Sequence, residues 1–138
     1  MLFRSGIGRD VLIGGFGSDR LVGNAADDIL VAGTTAFDGN ESALCAIVAE
    51  WGRADVDFQT RVNHLLVGGG ANLLDDGTKV LLNAQTAYDD TSLDVLTGSS
   101  GTDWFLFNRD NDGVVKDRVT DMSTFESLIA QDIDFIHA

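Results

Sequence analysis

Gly14-Gly15-Phe16-Gly17-Ser18-Asp19-Arg20-Leu21-Val22 decides the fold, because the stretches on either side repeat its pattern. Before it stands Ser5-Gly6-Ile7-Gly8-Arg9-Asp10-Val11-Leu12-Ile13, and after it Gly23-Asn24-Ala25-Ala26-Asp27-Asp28-Ile29-Leu30-Val31. Asp10, Asp19 and Asp28 fall at a nine-residue period, as do Leu12, Leu21 and Leu30. The third unit departs from the pattern, with Asn24 and Ala26 in glycine positions. Glycine at Gly6, Gly8, Gly15 and Gly17 lets the backbone turn sharply and aim carbonyl oxygens inward. Each Asp adds a carboxylate to that ring of carbonyls, a donor set suited to Ca2+, a hard cation that takes six to eight oxygen ligands. The x-Leu-x that follows reads as a short strand whose central side chain turns inward, and stacking joins those leucines into one core.

The pattern breaks and then returns. Glu41 to Trp51 sets Leu44, Ile47, Val48 and Trp51 at helical spacing, with Asn40 as N-cap and Gly52 as stop. A second helix is expected from about Asp55 to Leu66, with Phe58, Val62 and Leu65 on one face, ended by Gly68-Gly69-Gly70. Residues 71–84 read as a β-hairpin, Leu73-Leu74 and Val80-Leu81-Leu82 flanking Asp75-Asp76-Gly77-Thr78. The nonapeptide resumes at Asp89-Asp90-Thr91-Ser92-Leu93-Asp94-Val95-Leu96-Thr97, which has lost its glycines. Gly98-Ser99-Ser100-Gly101-Thr102-Asp103-Trp104-Phe105-Leu106 follows and keeps them. The expectation is that this returning coil stacks on the coils of 6–31, the insert packing on the side or end of the stack. Trp104 and Phe105 are larger than the usual residues there and fit a terminal coil whose open end must be closed.

These units resemble the RTX family of secreted bacterial proteins, whose nonapeptide is G-G-x-G-x-D-x-U-x. The resemblance implies a short parallel β-roll with two nonapeptides per coil and Ca2+ held between turns two units apart. The turn ending at Asp10 would then face the turn ending at Asp28, and Asp19 would face whatever follows on its own side. The next unit, Ala32-Gly33-Thr34-Thr35-Ala36-Phe37-Asp38, is degenerate: Phe37 takes the Asp position, and Asp38 serves either the repeat or the cap of the next helix. The expected fold class is mainly β with an α insert: a parallel β-roll carrying a helical hairpin and a β-hairpin. It is laid out as one domain over 1–138, with roll repeats at 1–38, the insert at 39–88, and returning repeats with a C-terminal cap at 89–138. The expected calcium ligands are Asp10, Asp19, Asp28, Asp94 and Asp103, with the turn glycines Gly6, Gly8, Gly15, Gly17 and Gly101.

Charge points the same way. The 22 acidic against 9 basic residues give −13, which disfavours nucleic-acid and anionic-membrane partners and favours a cation. No apolar run is long enough to span a bilayer, and Met1-Leu2-Phe3-Arg4 carries no signal-peptide pattern, so a cleaved leader in this chain is not the expected export route. Sixteen glycines with no proline suit many turns whose N–H groups are still in use. Cys45, the single cysteine, excludes an internal disulfide and is expected to be buried as a small apolar group.

Asn108-Arg109-Asp110-Asn111-Asp112-Gly113 starts like an EF-hand loop. Its twelfth position is Val119 rather than Glu, so it reads as a turn. Asp117 to Asp121 reads as a strand, and Ser123-Thr124-Phe125-Glu126 as a capping box opening a helix to about Ala130. His64 and His137 lack a nucleophile setting, and no hydrolase, metalloprotease or P-loop motif is present, so no enzyme is expected. The adjacent acids Asp27/Asp28 and Asp89/Asp90 would point to opposite faces of a strand and seldom act together.

The expected function is a structural module that folds on Ca2+ outside the cell and caps a secreted or surface protein. The resemblance implies a C-terminal type I secretion signal. Its partners would be calcium ions and the rest of a larger protein, without membrane insertion. The alternative is an adhesion or partner-binding domain using the helical insert, which requires an exposed stripe through Leu44, Val48 and Trp51.

Overall fold

The computed structural model describes residues 2–4, 8–23, 25–109 and 116–133. Gly6, residues 110–113 of the EF-hand-like stretch, and His137 lie outside the described residues.

Two parallel ladders grow from the nonapeptides. In the first, β2 (Asp10–Ile13), β4 (Ile29–Val31), β8 (Trp104–Phe107) and β10 (Gln131–Asp132) lie side by side in parallel. β1 (Leu2–Arg4) pairs antiparallel on the outer edge of β2. In the second, β3 (Arg20–Val22), β7 (Val95–Thr97) and β9 (Arg118–Val119) do the same. Successive nonapeptides alternate between the two sheets, so the parallel strands fit a β-roll-like repeat. Registers place Leu12 beside Leu30 beside Phe105, and Leu21 beside Leu96 beside Val119. Those central residues form the core between the sheets, joined by Ala32 and Phe107.

Residues flanking the central position distinguish the two sheets. Around Leu12, Leu30 and Phe105 they are apolar: Val11 and Ile13, Ile29 and Val31, Trp104 and Leu106, all buried. Around Leu21 they are Arg20 and Val22, both exposed. The first sheet therefore has a second apolar face, and that face is covered. Helix α1 (Glu41–Trp51) and helix α2 (Phe58–Val67) lie on it, with Leu44, Ile47, Trp51, Val62 and Leu65 in one cluster with Val11, Ile29 and Trp104. The Trp51 and Trp104 rings stand 6.2 Å apart. Trp51 Nε1 donates to the Asp27 carbonyl at 2.9 Å, and Arg61 pairs with the Asp27 carboxylate at 3.2 Å.

The excursion between coils is closed at its base. β5 (Thr34–Thr35) and β6 (Ala87–Tyr88) pair antiparallel, so the chain leaves and re-enters the roll through a two-stranded neck. Gly33 makes this approach possible, because a Cβ there would run into the Tyr88 carbonyl. Inside the excursion Glu50 is fully buried. It accepts from Ala71 N–H at 2.7 Å, pairs with Arg53 at 3.1 Å and meets His64 Nδ1 at 2.8 Å.

Several expectations need correction. α2 starts at Phe58, not Asp55, because Asp57 caps it by accepting from Thr60 N–H. Residues 71–84 hold an isolated bridge between Leu73 and Lys79 rather than a hairpin ladder. Leu74 N–H donates to Thr78 and Val80 N–H to Asn72 across the expected turn, while Asn72 Nδ2 also reaches the His64 carbonyl and Leu82 N–H donates to Leu65, so this short stretch bonds both to itself and to α2. Cys45 is exposed, since it stands one residue beyond Leu44 and so off the buried stripe. Trp104 and Phe105 do not close an open end, as β10 continues the sheet beyond β8. Trp104 instead faces the helices and Phe105 the roll interior. Residues 32–38 form no further coil: Asp38 accepts from the Thr35 hydroxyl at 2.5 Å, while Asn40 caps α1.

Candidate metal centre

The aspartates stack into two ladders, one along each edge of the roll. On the first edge Asp10 N–H donates to Asp28 Oδ1 at 2.7 Å, and Asp28 N–H to Asp103 Oδ1 at 2.9 Å. Asp103 N–H then donates to Glu126 Oε2 at 2.7 Å. On the second edge Asp19 N–H donates to Asp94 Oδ1 at 2.6 Å and Asp94 N–H to Asp117 Oδ1 at 2.9 Å. Each carboxylate thus uses one oxygen to pin the backbone of the preceding coil. The partner of Asp19 is Asp94, 75 positions on, and not the degenerate 32–38 unit.

The remaining oxygens decide the chemistry. Asp28 Oδ2, Asp94 Oδ2, Asp19 Oδ2 and Asp10 Oδ1 are buried with no hydrogen-bond partner in the protein. A buried carboxylate oxygen without a partner is costly unless a proton or a cation meets it. Burial is the largest cause pushing Asp94 and Asp103 up to about 8, and Asp28 and Asp117 up to about 7. Neighbouring carboxylates push the same way, Asp10 and Asp27 on Asp28, Asp28 and Glu126 on Asp103. A raised carboxylate value means that the folded, ion-free chain holds protons which the unfolded chain gives up, so at neutral pH these groups work against folding. A dication relieves both the desolvation and the repulsion.

The turns make room for the carboxylates. Gly14, Gly23 and Gly98 each stand five residues before an Asp, and a Cβ on any of them would press on that carboxylate: Asp19, Asp28 and Asp103 in turn. Gly8, Gly15, Gly17 and Gly101 have φ of +84°, +83°, +90° and +95°. The unpartnered donors on the edges are carboxylate oxygens, which fit a hard, oxygen-seeking cation.

Residues 4–34 and 84–114 match the RTX calcium-binding nonapeptide repeat, in four copies. The chain carries RTX repeats. RTX nonapeptides bind Ca2+, and the matched segments are the two that bracket the excursion. No curated protein and no solved structure matches the chain.

The structure brings Asp10, Asp28 and Asp103 together on one edge and Asp19 with Asp94 on the other. Several RTX-edge residues escaped the sequence reading. Gly14, Gly23 and Gly98 were visible as the first position of each unit. Asp117 and Glu126 continue the ladders out of register with Asp103, though nine residues apart from each other, Glu126 doing so while its Oε1 completes the Ser123 capping box. Asp89 and Asp90 do not alternate on a strand as expected; they lie in the turn before β7, and both are buried. Asp27 is engaged elsewhere, by Arg61 and by Thr102 N–H at 2.9 Å.

Proposed function

We propose that the chain is a calcium-dependent structural module which becomes rigid when Ca2+ fills the Asp edges outside the cell, as the end unit of a secreted or surface protein. The carrying observation is the row of buried carboxylate oxygens left without a protein partner on both edges. Asp10, Asp28 and Asp103, with the carbonyls of the turns around Gly8 and Gly101, would hold ions on one edge. Asp19 and Asp94, with the turn of Gly15 and Gly17, would hold them on the other. The bound ion supplies charge compensation and cross-links one turn to the turn stacked on it.

Extracellular calcium near the millimolar level exceeds the roughly 10⁻⁴–10⁻³ M affinity of extracellular modules, whereas cytosolic levels do not. Binding energy is then folding energy. The −13 charge supports the same reading, since self-repulsion falls as ions bind. Residues 1–138 act in this reading as one unit, with the excursion as a buttress on the first sheet. Burial of Leu44, Ile47 and Trp51 against the roll argues against the helical insert as an adhesion face.

Calorimetry with Ca2+ against Mg2+, alongside thermal melts, tests the reading. A site filled at a hundredfold excess over its Kd adds about 2.7 kcal/mol, so Tm should rise by many degrees with calcium and fall with EDTA. An identical Tm in EDTA and in excess calcium would overturn it.

A further inference from the structure

The Asp89–Asp94 turn differs from its neighbours in a way that changes its ligand set. In the Gly14–Asp19 turn the first two positions are Gly14 and Gly15, and in the Gly98–Asp103 turn they are Gly98 and Ser99. Here Asp89 and Asp90 occupy those positions. Asp90 is only 8% exposed. Its Oδ1 accepts from Ser92 N–H at 3.2 Å, while its Oδ2 is buried without a partner in the protein. One carboxylate oxygen from each of Asp19, Asp90 and Asp94 lies within 4.8 Å of the other two. Among the described residues this is the one group of three His, Cys, Asp or Glu side chains so placed.

We propose that Asp90 makes the space between the Gly14–Asp19 and Asp89–Asp94 turns a second class of calcium site, with three carboxylates, which fills at lower calcium than the sites along the Asp28–Asp103 edge. This rests on the calcium reading above and adds an order of filling to it. Calcium affinity in oxygen-ligand sites is tuned by the number of charged ligands and the rigidity of the cage. The first favours this site, because a third carboxylate converges on it. The second is equal on the two edges, since Asp94, like Asp28, is held through both its Oδ1 and its own N–H. The location gives the order a consequence. Asp19 precedes the excursion and Asp90 and Asp94 follow it, so the first ion bound ties the departing chain to the returning one.

Calcium titrations of the full chain by calorimetry test this with wild type, Asp90→Gly, Asp90→Asn and Asp103→Asn. Asp90→Gly removes the side chain outright, and Asp90→Asn keeps its shape and removes only its charge. Two classes are expected in wild type. The tight class should weaken about tenfold or more in both Asp90 variants, while Asp103→Asn should affect only the weak class. A tight class that survives both Asp90 variants, or that is lost in Asp103→Asn instead, overturns the proposal.

Backbone amide signals of wild type, followed through the same titration, need no variant. Those of 14–19 and 89–94 should reach their end positions before those of 25–28 and 98–103; the reverse or simultaneous order overturns the proposal. If wild type takes up no calcium at all, the reading of the module itself fails, which is a separate and distinguishable result.

Discussion

Ala26 carries a backbone that elsewhere in the repeat belongs to glycine. Its φ is +77°, matching Gly17 and Gly101 at the same place in their units. A left-handed conformation costs an L-residue about 1–2 kcal/mol. Ala26→Gly should therefore stabilise the folded chain by about 1 kcal/mol, somewhat offset by a looser unfolded state, read as a shift in denaturant midpoint at fixed calcium. Gly98 makes the opposite case. Alanine there drives its Cβ into the Asp103 carboxylate, itself 1% exposed and with nowhere to go. Gly98→Ala should cost about 1–3 kcal/mol, as overpacking does, and should weaken calcium binding on that edge; calorimetry and a melt read the two effects separately. The nine-residue spacing made five aspartates legible from sequence, because a repeated carboxylate in a glycine-rich turn has few other uses. Asp90, the proposed third carboxylate, was not singled out in the sequence, because it belongs to a unit that has lost the glycines by which the others are recognised.

Among the elements, the buttressed sheet and the bare one were both written in the chain. The units feeding the first sheet read Val-Leu-Ile, Ile-Leu-Val and Trp-Phe-Leu, while Arg-Leu-Val and Val-Leu-Thr feed the second. Apolar flanks on both sides of the central residue signal a strand covered on two faces, and the helices supply the second cover. The helical period of Leu44, Ile47 and Trp51 was readable for the same reason, and it also explains the exposed Cys45. What stayed hidden was the polar anchor between α1 and α2. Burial alone raises Glu50, but the Ala71 N–H, His64 and Arg53 outweigh it and hold the carboxyl below its ordinary value; Arg61 adds a further positive field nearby. A lowered value contributes stability above the ordinary carboxylate range, lost as pH falls through the folded value. Glu50→Gln should cost about 1.5–3 kcal/mol near pH 7, the size of a hydrogen bond to a charged group. The gap from wild type should shrink on acidification, as denaturation in saturating calcium at several pH values would measure.

Over the whole molecule, sequence reading recovered the alternation of two sheets and the stacking of the returning 89–106 coil on the coils of 6–31, but not which residues pair across the excursion. Asp10 and Asp28 are 18 positions apart, and their pairing follows from the repeat. Asp19 and Asp94 are 75 apart, and no local pattern reveals that partner. The spacing has a counterpart in the charge. Ladders of carboxylates run along both edges of a molecule already at −13, so the fold concentrates repulsion that a bound cation or a proton relieves.

The two-stranded neck of β5 and β6 also sets a timetable. Going from 18 to 75 residues of separation is about two doublings of loop length, or roughly 1.2 kcal/mol of additional closure entropy if the intervening chain is loose. Once β5 and β6 pair, Thr35 and Ala87 become neighbours, and the path from Asp19 to Asp94 shortens from 75 positions to about 23, 16 before Thr35 and 7 after Ala87. Refolding should accordingly proceed with the excursion ordering first and the second edge zipping afterwards. In stopped-flow experiments begun by adding calcium, Gly33→Ala, which forces the neck apart, should slow that zipping phase several-fold while leaving the early helical signal in place.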